Sequence, residues 1–185
     1  MRSTTRGASF RSRMANADPI ALDIFPGDAR VEWQRDGLSA LAGPDAQARM
    51  EAGWRLDGEP DWEAIESLRL ISAAFEDGRM LALVTTRPTR ADGHDEAYVR
   101  GALVQANGEV VELAEALLSI EYDAGGTPAR IGLELYTYPE AIPLRVAADR
   151  SADRADQDES PHAIAMSFRL EGSQGAGLLE LVSRP

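Results

Sequence analysis

The hydrophobic pattern centres on two apolar segments, residues 68–75 and 80–86, which flank the dipeptide Asp77-Gly78. Asp-Gly between two apolar segments is a strong hairpin signal, because glycine takes a positive φ at no steric cost. The second segment is apolar at both odd and even positions, which is typical of a strand covered on both faces. The pattern therefore predicts a β-hairpin in the middle of a closed β structure.

Strand and turn patterns alternate through the rest of the chain, at a spacing typical of a sandwich or barrel. Residues 46–56 fit a half-buried strand, although a helix from Asp45 fits nearly as well, and residues 61–66 predict a helical or irregular turn. The remaining predicted strands are residues 31–35, 97–106, 109–113, 117–122, 130–138, 142–148, 162–170 and 178–182. Roughly ten strands with few helices predict an all-β fold, an antiparallel lipocalin-like barrel without free sheet edges.

The predicted domain organisation is simple. The chain has 185 residues, which fits one domain with a core of its own. We expect residues 1–18 to form a disordered tail and residues 19–185 to form a single β-barrel domain. Asp36-Gly37 and the glycine-rich residues 171–177 are predicted turns, and the charged residues 150–161 predict a mobile loop.

Composition excludes several kinds of chemistry. A net charge of −12 argues against nucleic acid as a partner. All 19 basic residues are arginine, and without lysine no Schiff base can form on this chain. Cysteine is absent and there are two histidines, so we expect no thiol chemistry, no metal site and no cofactor. No apolar run reaches the length of a membrane span, and a cytoplasmic location is the simplest expectation.

Several short motifs resemble a known family. They are Asp61-Trp62, residues 75–79, Arg87-Pro88, Tyr122-Asp123 and the closing residues 168–180. Together they are similar to the second half of the lipocalin-like carotenoid hydratase (hydroxyneurosporene synthase) family. The resemblance implies a lipocalin-like barrel and a hydratase-like activity on an apolar substrate. Members of that family usually carry two such barrels, so the resemblance also implies that a second copy supplies the missing one, giving a homodimer.

The family motif before the Asp-Trp pair is altered in this chain. The family tends to carry a motif with a histidine position there, whereas residues 54–60 keep Trp54 and Asp57 and contain no histidine. If that motif carries the hydration step, its loss removes the step from this chain.

Three groups of residues are candidates for a site. His94, beside two carboxylates and near Tyr98, has the features of a general base, although an exposed turn has the same composition. Glu134 and Tyr136 share one strand parity and are expected to face Arg169; they would protonate or orient a ligand inside the barrel. The alternative is that this parity faces water.

The third group surrounds two tryptophans. Trp54 and Trp62 lie near Asp57, Asp61 and Glu63, and aromatic rings beside carboxylates can stabilise a developing carbocation at a pocket. Buried tryptophans in a barrel are also common core residues, which is the alternative interpretation.

Two functions follow from these residues. The first is an enzyme that acts on a hydrophobic, isoprenoid or polyketide-like substrate by cofactor-free acid/base cyclisation, isomerisation or hydration, with Glu134, His94 or Asp61 as the acid or base. The second is a non-catalytic binding protein for an apolar metabolite. The predicted contacts to the small molecule are Trp54, Trp62, Tyr98, Tyr136 and Arg169.

Overall fold

The computed structural model describes residues 18–40, 54–91, 98–138, 142–151 and 163–184. Within these ranges it contains eleven strands and one short helix. They are β1 Ile20–Asp23, β2 Arg30–Trp33, α1 Arg35–Ala40, β3 Trp54–Asp57, β4 Ile65–Phe75, β5 Met80–Pro88, β6 Tyr98–Val104, β7 Val110–Tyr122, β8 Pro128–Thr137, β9 Leu144–Arg150, β10 Ala163–Leu170 and β11 Ser173–Ser183.

Strands β4 to β11 form a closed antiparallel barrel. Each strand pairs with the next along the chain, and β11 pairs with β4 to close the ring. An eight-stranded up-and-down order is that of lipocalin barrels. The predicted all-β, antiparallel lipocalin-like barrel is therefore confirmed as a class, with eight barrel strands in place of roughly ten. The difference arises because β1, β2 and β3 form a separate three-stranded sheet, and because the strands predicted at 109–113 and 117–122 are one continuous strand, β7.

The barrel wall separates two hydrophobic cores. On β4, Ile71 and Phe75 belong to the core inside the barrel, which we call the lumen. Leu68 and Leu70, of the opposite parity, pack outside with Val31 and other residues of the small sheet, in what we call the interlayer core. This arrangement explains why the hairpin segments are apolar at both odd and even positions.

Two local predictions differ from the structure. Asp36-Gly37 lies within α1 and is not a turn between strands; Leu38 of this helix is 1% exposed in the interlayer core. The glycine-rich residues 171–177 are mostly strand, because β11 begins at Ser173 and the turn is confined to Glu171 and Gly172, both with positive φ.

Some predictions fall on residues outside the described ranges. They are the tail at residues 1–17, most of the predicted strand at 46–56, His94, and most of the predicted loop at 150–161. The predicted homodimer, cytoplasmic location and single domain remain predictions. None of the helices described is both long enough and apolar enough to cross a membrane.

Candidate functional site in the lower lumen

The lumen is packed more completely at one end than at the other. We call the end with the β4–β5 and β10–β11 turns the upper end. Near it, most lumen side chains are almost fully buried, among them Phe75, Leu135 and Leu170, and Leu144 at the start of β9 is partly accessible. At the opposite, lower end, Val99 on β6, Leu118 on β7 and Leu181 on β11 pack against the same core but remain partly accessible. Incomplete packing therefore occurs in the lower lumen.

A polar pair faces this part of the lumen. Arg69 on β4 and Thr85 on β5 are cross-strand partners, and Arg69 also pairs with Leu181 on β11. Arg69 and Thr85 both lie on the lumen face of their strands. Ile71 and Leu83, two residues further along β4 and two residues earlier on β5, belong to the lumen core and lie on the same faces. Two polar side chains are thus placed among apolar ones.

A cavity of about 770 Å³ borders β4 at Arg69, and its lining contains no residue of β5 or β11. Its lining includes residues of the lumen parity, among them Arg69, Val99 and Leu118, and residues of the outward parity, among them Glu134 and Arg169. Because the lining comes from both faces of the sheet, the volume is not that of the lumen alone. The lumen residues in the lining nevertheless mark where the barrel interior is open.

Glu134, Tyr136 and Arg169 lie on the outward face of β8 and β10. On β8, Leu133 and Leu135 fill the lumen, which leaves Glu134 and Tyr136 on the opposite face. The Tyr136 hydroxyl donates a hydrogen bond to Glu134 Oε2 at 3.2 Å. The pKa of Tyr136 is raised, mainly by partial burial and secondly by the negative charge of Glu134. A phenol with a raised pKa stays protonated at neutral pH and acts as a hydrogen-bond donor.

Charged partners surround this outward group. Arg145 on β9 lies 3.4 Å from Glu134, and Arg169 donates to Asp149 at 2.7 Å. Hydrogen bonds from Arg130 and then Arg169 lower the pKa of Asp149. Arg169 is thus held by a carboxylate, and it does not contact Glu134 in the manner that the shared polar parity suggested.

The other predicted residues lie on the far side of the barrel. Trp54 and Trp62 pack partly buried against the interlayer core. Asp61 is exposed, and its Oδ1 accepts backbone hydrogen bonds from Glu63 at 3.1 Å and Ala64 at 3.3 Å, which shapes the turn before β4. Tyr98 is 45% exposed, and its ring meets the ring of Phe25 edge-on at 4.8 Å.

The predicted residues therefore do not converge on one site. Among those described, one set lies on β8 and β10, another lies around the interlayer core, and none faces the lumen. Their assigned roles remain predictions. The residues that face the lumen, Arg69 and Thr85, were missed by sequence analysis, although one signal existed: Arg69 interrupts the apolar run from Leu68 to Ile71.

Glu180 is a further unpredicted titratable residue. It lies on β11, paired with Leu70 of β4 and Ala163 of β10, on the side of the barrel that the small sheet covers. Burial raises its pKa to about 7, and a hydrogen bond from Trp54 opposes that rise. Glu180 is separated from the lumen by the barrel wall.

Comparison with known proteins gives one similar structure. No protein-family model matches the sequence, and no curated protein matches it. Kievitone hydratase from Nectria haematococca is similar in structure, with a TM-score of 0.46 and 14% sequence identity over 70% of this chain. The chain spans 43% of the length of that structure.

Proposed function

We propose that the protein binds an apolar small molecule in the lower lumen. The observation that carries this proposal is the accessible apolar wall formed by Val99, Leu118 and Leu181, which are three of the four partly accessible apolar residues of the lumen core; the fourth, Leu144, lies at the upper end. Apolar surface gains about 25 cal/mol per Å² when it leaves water, so an apolar ligand in contact with this wall binds favourably. Ligand sites of this kind are largely pre-formed and mostly apolar, with few polar groups.

A matched pair of substitutions on β7 tests the location of the site. Leu118 faces the lumen, whereas its neighbour Leu117 is 50% exposed on the outer face. The substitution Leu118→Trp fills the lower lumen and is expected to weaken binding of the neutral fluorescent probe N-phenyl-1-naphthylamine by about tenfold or more, equivalent to about 1.4 kcal/mol. Leu117→Trp is the control for the outward face of the cavity, which Leu117 lines, and should leave the affinity within about twofold because the proposed site lies on the other face of β7.

The affinity of each protein for the probe is measured by fluorescence titration. Thermal unfolding of both variants shows whether either change has disturbed the barrel. Equal loss of probe affinity in the two variants, or no saturable binding to the unsubstituted protein, would contradict a lumen site.

The second candidate function is acid/base catalysis on a molecule bound at the outward face of the cavity, where Glu134 lies. It is favoured by the position of Glu134, which lines the cavity and accepts a hydrogen bond from Tyr136. A carboxylate base with a phenol donor can move a proton without a cofactor. In D₂O, catalysis would exchange hydrogens of a co-purified ligand for deuterium, and Glu134→Gln should abolish that exchange while the ligand remains bound. Unchanged exchange in the variant would remove Glu134 from the reaction.

A further inference from the structure

Arg69 is a cation on the lumen face of an apolar strand. Within the described residues it makes no ion pair or hydrogen bond, and it lines the cavity. Its side chain is partly buried, between Thr85 on one neighbouring strand and Leu181 on the other. A cation that loses water without gaining an anion destabilises the fold. The Arg69 guanidinium can therefore bind an anionic group of a ligand in the lumen.

Thr85 provides an independent polar atom at the same place. It is 1% exposed, and its Oγ1 has no hydrogen-bond partner. Buried polar atoms in native proteins are nearly always paired, and a threonine hydroxyl can both donate and accept. An unpaired hydroxyl beside an unpaired arginine indicates that a polar group of the ligand completes both.

The arginine on the same face of β5 as Thr85 already has a carboxylate as its ion-pair partner. Arg87 lies two residues after Thr85, and its Nε is 3.1 Å from Glu66 Oε2. Arg69 has no such carboxylate among the described residues. The net charge of the whole protein is −12, so its average field repels anions and selectivity for an anion has to come from a local cation.

We infer that the ligand is an apolar carboxylic acid. Its carboxylate accepts hydrogen bonds from the Arg69 guanidinium and the Thr85 hydroxyl, and its hydrocarbon part lies against Val99 and Leu118. Guanidinium is the side chain best suited to a carboxylate, because its parallel N–H groups match the two oxygens. This inference rests on the proposed function, whose lumen site it specifies further.

A pair of ligands with the same chain tests the head-group preference. Decanoate and 1-decanol, both below their aggregation concentrations, are titrated against bound N-phenyl-1-naphthylamine. We expect decanoate to displace the probe at about tenfold lower concentration, because a charge-assisted hydrogen-bonded pair is stronger than a neutral one. The neutral probe reports lumen binding regardless of Arg69.

Three variants assign that preference to residues. Arg69→Met keeps an unbranched apolar side chain without the charge and should weaken decanoate binding about tenfold while changing decanol binding less than about twofold. Thr85→Val keeps the shape and should weaken decanoate binding about threefold. Arg55→Met, at a side chain that is 69% exposed on β3 and does not line the cavity, is the control and should change neither.

Stability gives a readout that does not depend on the ligand. Because Arg69 has no anionic partner, Arg69→Met should unfold at the same or higher temperature than the unsubstituted protein, in the absence of ligand. At one decanoate concentration, the ligand should raise the unfolding temperature of the unsubstituted protein more than that of the variant.

The outcomes separate the two proposals. Equal displacement by decanoate and decanol, with probe binding intact, overturns the acid preference and leaves the lumen site standing. If Arg69→Met weakens the binding of decanoate and of decanol to the same extent, the acid preference is also overturned, since the residue would then only support the fold. Failure of the neutral probe and of both ligands to bind overturns the lumen site itself and the inference with it.

Discussion

The substitution Gly177→Ala is expected to lower the free energy of unfolding by about 4 kcal/mol, because overpacking against backbone cannot relax. A Cβ at this position would overlap the carbonyl oxygen of Ser72 and lie 2.8 Å from both the Cα of Ala73 and the Cε2 of Phe168. Two of these three atoms belong to the backbone of β4, so β11 would have to move away from β4 at the seam that closes the barrel. The measurement is urea unfolding followed by tryptophan fluorescence.

Gly132→Ala is the matched control. It is also a strand glycine of the barrel, but the atom that a Cβ would meet is the side-chain hydroxyl of Ser119, at 2.7 Å. That hydroxyl can rotate away, so we expect a change within about 1 kcal/mol. If Gly177→Ala were as stable as Gly132→Ala, β4 and β11 would not approach each other as closely as described.

The second large expected effect is a pH dependence of the free energy of unfolding, caused by Glu180. Its pKa is about 7 in the folded protein and near its ordinary value of 4.5 in the unfolded chain. The folded state therefore binds the proton more tightly, and the stabilisation is complete below about pH 4.5 and is lost as the pH rises through 7. The full shift corresponds to about 3 kcal/mol, and partial solvent exposure reduces the expected loss to about 2 kcal/mol.

Glu180→Gln should remove that loss. At pH 8 the variant is expected to be about 2 kcal/mol more stable than the unsubstituted protein, whereas near pH 4.5 the two should be similar. Glu112→Gln, at an exposed position on β7, is the control and should show no such crossover.

Other carboxylates change the stability of the folded protein in a different pH range. Hydrogen bonds with arginines lower the pKa of Asp149 from 3.8, so its stabilisation is lost only as the pH falls through still lower values. Among the described carboxylates whose pKa is shifted, Glu180 alone has a raised pKa. A parallel decline in Glu180→Gln and the unsubstituted protein between about pH 4.5 and 7 would show that another group is responsible.

The sequence was most informative about the hairpin of β4 and β5. Its Asp77-Gly78 turn and its two apolar parities predicted a strand covered on both faces, and the lumen and interlayer cores confirm this. Alternation of this kind can be recognised from neighbouring residues alone, because successive side chains along a strand point to opposite faces. The closed barrel followed from the number and spacing of such strands.

Predictions failed where long-range packing decided the conformation. Residues 173–177 contain glycines that normally indicate a turn, yet they belong to β11 because close approach to β4 leaves no room for a Cβ at Gly177. Asp36-Gly37 likewise lies in α1, where burial of Leu38 outweighs the preference of Asp-Gly for turns. Neither contact is visible in the local sequence.

The candidate site was harder to predict than the fold. A carboxylate and a phenol two residues apart, Glu134 and Tyr136, look the same whether their strand face is turned to the lumen or to solvent. The parity became clear only when Leu133 and Leu135 were seen to fill the lumen. Arg69 was overlooked because a single charge in an apolar strand has no motif around it.

The most direct test of a lumen site is methyl-resolved NMR during a titration with N-phenyl-1-naphthylamine. We expect saturable chemical-shift changes at the methyl groups of Val99, Leu118 and Leu181, and no comparable change at the exposed Leu117 on the other face of β7. Shifts confined to interlayer residues such as Leu68 and Val84, or to Leu117, would place the ligand outside the barrel and contradict binding in the lower lumen.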